Sequence, residues 1–174
     1  MGYQTAFTSV QNQYCNTFGY EAGYQASGNR RVDSFGIRAG YGANDNFEIT
    51  SMGAYSIKNA SGLQDSTFMG WNAGVGAFAL SGIVAGGYGA AAKATSSSGC
   101  IMFGHQVASG VDQITDTIMM GFRAGRGASR ADSSIMMGEY AGESSIYTRW
   151  GVDIGYRAGW SATSNVYVTN IGYQ

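Results

Sequence analysis

Proline is absent from this chain of 174 residues, cysteine occurs twice, histidine once, and charged residues make up only 12%. The missing proline, set beside 28 glycines, excludes a collagen-like triple helix. Low charge together with 13% aromatic residues argues against disorder, because disordered chains are rich in charge and poor in rings. No stretch approaches the ~20 apolar residues that a membrane-spanning helix needs, so membrane insertion is not expected. The net charge of −1, with ten scattered Lys and Arg, offers no footprint for nucleic acid. The start, Met1 to Ala6, lacks the basic and apolar regions of a signal peptide. A secreted role then calls for an upstream segment or another route, such as release with a virus particle.

What the chain has instead is a repeat. Glycine recurs at Gly2, Gly19, Gly36, Gly53, Gly70, Gly87, Gly104, Gly121, Gly138, Gly155 and Gly172, a spacing of 17 with no insertion or deletion. Residues 1–174 therefore read as a single repeat domain of ten turns, the first starting at Gly2 and the last at Gly155, and as a segment of a longer fibre. With the glycine as column 1, column 4 holds Ala22, Ala39, Ala73, Ala90, Ala124, Ala141 and Ala158, and column 5 is mostly Gly. The recurring phrase is Gly-x-x-Ala-Gly. Column 17 is large and apolar (Phe18, Phe35, Met52, Met69, Phe103, Met120, Met137, Ile154, Ile171), and column 15 is mostly β-branched. This period-2 placement reads as a short strand. Helical repeats are longer, and two glycines per unit would weaken each helix by ~1 kcal/mol apiece. The expected fold is all-β: a β-solenoid or β-roll of 17 residues per turn, with turns ~4.8 Å apart and a rod of roughly 48 Å.

Cys100-Ile101-Met102-Phe103, Thr117-Ile118-Met119-Met120 and Ser134-Ile135-Met136-Met137 are apolar at column 16 as well as at 15 and 17. Alternation must send one set into the coil and the other out. Because the alanines of columns 4 and 8 leave a narrow interior, Met102, Met119 and Met136 are expected outside, as an oligomer interface.

Phe18-Gly19-Tyr20-Glu21-Ala22-Gly23, Met120-Gly121-Phe122-Arg123-Ala124-Gly125 and Ile171-Gly172-Tyr173-Gln174 resemble the head repeats of trimeric autotransporter adhesins, and similar repeats occur in phage tail fibres. The resemblance spans essentially the whole chain. It implies a parallel homotrimer displayed outside the cell, on a virion tail fibre or a cell surface, and used for attachment to a host. The 17-residue unit is longer than the usual adhesin repeat and no coiled-coil stalk is visible, which favours the viral fibre.

Chemistry is sparse. Cys15 and Cys100 share column 14 but lie five turns apart, roughly 24 Å, too far for a disulfide. The one histidine, His105, has no ligand neighbours at zinc spacing and reads as a member of the column-2 ladder. Acids are dispersed, although Asp116 and Asp132 fall on adjacent turns; solvated turn positions account for them better than catalysis or a bound cation. No phosphate-loop motif is present. Neither an enzyme activity, a metal nor a cofactor is therefore expected. Column 2 supplies the candidate binding residues: Tyr20, Trp71, Tyr88, Phe122 and Tyr156, with Trp160 near by in column 6. Stacked along the rod they would brace the sheet; exposed, they would offer platforms for the sugars of a surface receptor. The alternatives to an adhesive fibre are a filament subunit that stacks end to end and, more remotely, a carbohydrate-cleaving tailspike.

Overall fold

The computed structural model describes residues 11–173; Tyr3, the first aromatic residue of column 2, lies outside them. Ten strands, β1 (Asn16–Phe18), β2 (Arg30–Phe35), β3 (Phe47–Met52), β4 (Gln64–Met69), β5 (Val84–Gly86), β6 (Ile101–Phe103), β7 (Ile118–Met120), β8 (Ile135–Met137), β9 (Val152–Ile154) and β10 (Thr169–Ile171), form one parallel sheet in sequential order. There is no helix among the described residues. Every pairing carries the same offset: Thr50 meets Thr67, Met102 meets Met119, and Met136 meets Asp153, 17 residues apart each time. The chain is thus a β-solenoid of 17 residues per turn.

Two further ladders run down the coil as single bridges. Column 9 links Asn44 to Ser61 and Ser61 to Phe78; column 12 links Thr115 to Asp132 and Asp132 to Arg149. Between them, columns 8, 11 and 14 turn inward at every third residue. Columns 3, 5, 7, 10 and 13 carry positive φ, as at Arg123 (56°), Gly125 (61°) and Gly127 (66°). The remaining positive-φ column is the invariant glycine, and it has two reasons to be glycine. At Gly104 φ is 145°, and an added Cβ would lie 2.8 Å from the carbonyl carbon of Gly121 one turn on. Backbones pass so closely here that a side chain has no room.

The interior is lined by columns 4, 8, 11, 14 and 16. Ala22, Ala39, Ala73, Ala90, Ala124 and Ala141 are wholly buried, as are Phe68, Met102, Met119 and Met136. The last three correct the expectation drawn above: the column-16 methionines face the core, and it is columns 15 and 17 that face out. Alternation put column 16 opposite its two neighbours, as read from the sequence, but the direction was inverted. Room for Phe68, Met119 and Met136 comes from column 5, six residues later along the chain. A Cβ on Gly74 would sit 2.7 Å from Cδ1 of Phe68, and a Cβ on Gly125 or Gly142 would overlap the sulfur of Met119 or Met136. Columns 16 and 5 therefore share one slot. Where column 16 is small, at Ser51, column 5 is filled by Ile57, fully buried despite a φ of 49°.

Candidate functional site

The outward side of the sheet carries two adjoining stripes. Column 17 exposes Phe18, Phe35, Met52, Met120, Met137 and Ile154, and column 15 exposes Val84 and Ile101. Phe18 and Phe35 stack in parallel with centroids 5.2 Å apart. Just past the glycine column stands the aromatic ladder. Tyr55, Trp71, Tyr88, His105, Phe122, Tyr140, Tyr156 and Tyr173 follow one another with centroids 4.8 to 6.5 Å apart. Each such pair contributes about 0.5–1.5 kcal/mol beyond its buried area.

Of the expected binding residues, Trp71, Tyr88, Phe122 and Tyr156 come together in this ladder. Trp71 is 56% exposed and Tyr156 half-buried. Tyr20 is also exposed, but Ile37 and Ala54 separate it from Trp71 in column 2. Trp160 stands beside the ladder under the guanidinium of Arg157, which also approaches the rings of Tyr140 and Tyr156. His105 stacks between Tyr88 and Phe122, the place its column assigns it.

Tyr55 and Tyr140 were not among the expected ladder members, because they occupy column 3. They stand where column 2 holds Ala54 and Glu139, and a ring one position along fills the gap in the stack. The signal was available in the sequence as an aromatic displaced by one residue in the turns whose column 2 is not aromatic. The ladder's geometry also limits what it can bind. Where rings stack, as at Tyr88 and His105 with 11° between their planes, each covers its neighbour's face and leaves edges to solvent.

Chemistry inside the coil is muted. Among the described residues no group of three or more His, Cys, Asp or Glu could hold a metal. Both cysteines are free; Cys100 is buried, its thiol directed at the carbonyl of Ser98 at 3.0 Å, and loss of solvation pushes it up to about 11. At neutral pH it is a protonated core residue. Asp153 occupies the column-16 slot as a buried carboxyl. Desolvation raises its pKa, opposed by the hydrogen bond that Asn170 donates at 2.7 Å. Its Oδ2 has no partner, nor do the hydroxyls of Ser145 and Thr148 in the same turn.

No known protein family matches this chain, and no curated protein does. Its function therefore rests on the geometry.

Proposed function

We propose that this chain is a structural and adhesive fibre segment, of the phage tail fibre or surface adhesin kind, that acts outside the cell as a homotrimer and attaches to a host surface without a catalytic step. The observation that carries the reading is the outward stripe of columns 15 and 17, large and apolar in column 17 on nine of the ten strands, with Val84 of column 15 exposed where column 17 is Gly86. Contiguous apolar surface on that scale marks an interface. With turns ~4.8 Å apart and residues ~3.3 Å apart, the three-residue face measures roughly 48 by 10 Å, on the order of 500 Å². That is more than half of the ~800 Å² each partner commits in a standard interface. A second copy is the natural occupant, since only another such coil repeats its side chains at the same interval.

The unbroken register favours one other reading, a subunit that stacks end to end. Each described turn presents the next with the same backbone offset, so a further turn could be supplied by another chain through strand addition.

Light scattering with negative-stain electron microscopy, over a concentration series, separates these readings. Discrete trimeric rods ~48 Å long, ten turns at the strand spacing, are expected. Met137→Glu, placed in the outward stripe, should shift the population to monomers with an unchanged circular dichroism spectrum. Filaments that lengthen with concentration would make end-to-end assembly the function. A compact monomer at every concentration would overturn both.

A further inference from the structure

Away from the sheet, columns 10 and 12 enclose a groove of about 480 Å³ that runs along the axis over the turns of Gln113, Arg130 and Tyr147 and on to Val166. A volume of that size is typical of a small-ligand site. Column 12 supplies the floor, with Asp132 and Arg149 paired at 3.5 Å. Column 10 supplies the wall, where the guanidinium of Arg130 lies 4.7 Å over the ring of Tyr147, reaches its hydroxyl and donates to Gln113. Beyond the floor, in column 13, Trp150 stacks on Tyr167 at 4.6 Å with Arg149 over the Trp150 ring.

Columns 10 and 13 are positive-φ columns. Column 10 holds Gly28, Asp45, Gly62, Ala79 and Ser96 before Gln113, Arg130 and Tyr147, while column 13 holds Tyr14, Arg31 and Glu48 in the first turns and then Asp65, Gly82, Gly99, Asp116 and Ser133. In the last turns the same positions hold Tyr147 (φ 57°), Trp150 (φ 50°) and Tyr167 (φ 56°). The left-handed backbone there is set by the repeat, since Tyr14, Tyr55 and Tyr140 share it; what is particular to column 10 is that Tyr147 is its one aromatic residue among those described. The three rings are also among the exposed ones, Tyr167 at 74%. Next below Tyr147 in its column is Ser164, too short to cover the ring's second face.

We propose that this groove is a saccharide-binding site, distinct from the aromatic ladder. Tyr147 stacks on the apolar face of a sugar ring, and Asp132 and Arg149 bridge its neighbouring hydroxyls, the carboxylate accepting and the guanidinium donating. A free ring face beside a charged planar pair matches the two-sided chemistry of a pyranose. The ladder, four of whose seven contacts are stacked face to face, has among the described residues no charged planar pair of this kind beside a free ring face and matches it less well. The inference rests on the reading of this chain as an attachment fibre and names the class of receptor, a cell-surface glycan.

The test is a microarray of neutral and acidic oligosaccharides probed with the assembled protein, followed by calorimetric titration of the tightest hit. Tyr147→Ala is tolerated by its column, where Ala79 has the same backbone, and Asp132→Asn keeps the shape of the floor. Both should weaken binding at least tenfold while leaving the thermal midpoint and the oligomer size unchanged. Trp71→Ala, in the ladder, should leave binding as it was. Groove variants that bind like wild type, or a Trp71→Ala variant that alone loses binding, would overturn the proposal. So would a wild-type protein that captures no saccharide, and in that case the rods or monomers seen by light scattering still decide the fibre reading.

Discussion

Glycine at column 1 is the residue on which the repeat depends. Its spacing was plain in the sequence, while its cause is a contact between turns. Gly104 pairs a φ of 145° with a close backbone approach to Gly121, whereas Gly110 has a φ of 70° and nothing within 4 Å of where its Cβ would stand. The two positions separate conformational cost from steric cost. Gly110→Ala should lower stability by about 1 kcal/mol, the ordinary cost of the left-handed region. Gly104→Ala should lower it by at least about 3 kcal/mol, because the overlap is with rigid backbone. Urea titrations followed by circular dichroism would read both, and equal losses would refute the stacking explanation. The same accounting covers Ile57, a β-branched residue in a positive-φ column. Its side chain fills the space that Ser51 leaves, and core packing holds a conformation that local preference opposes.

At the scale of the strand, the sequence showed where each element lies and which residues share a face. Columns 15 and 17 were read as one face and column 16 as the other, and the structure keeps that division. It could not show which face is inside. A three-residue strand, apolar at every position, satisfies its own periodicity either way round. The choice is made by column 5, whose glycines leave room for Met119 and Met136 within the coil, six residues away along the chain. The consequence is testable on neighbouring residues of β8. Met136→Ala should cost about 2–5 kcal/mol by opening a cavity. Met137→Ala, exposed on the outward stripe, should cost the isolated chain less than about 1 kcal/mol. A reversed order in denaturant midpoints would restore the opposite orientation. The ladder gives a parallel lesson: column 2 was legible, but Tyr55 and Tyr140 joined it from column 3 because a stack follows space and not numbering.

For the whole molecule, each turn rests on the turns before and after it, so stability grows by near-identical increments. Register, not length, is then what a deletion must respect. Removing 121–137 joins Met120 to Gly138, keeps Met119 opposite the glycine at 142, and should give a folded coil one turn shorter with a cooperative melt. Removing 121–128 shifts every later column and should abolish cooperative melting beyond the junction. Circular dichroism and thermal scans of the two variants decide the point, and equal damage from both would mean that the turns do not act as interchangeable units.

The sequence by itself determined the period, the all-β class, the strand positions, the glycine column and most of the aromatic ladder, because all of these repeat at fixed spacing in one dimension. The tertiary structure alone decided that Met102, Met119 and Met136 are core, that Phe35, Met120 and Ile154 form the outer stripe, and that Arg130, Asp132, Tyr147 and Arg149 surround one groove. Those outcomes depend on which atoms share space across the coil's width and between successive turns. The periodicity of a chain fixes the interval between neighbours, but not the direction in which its side chains find room.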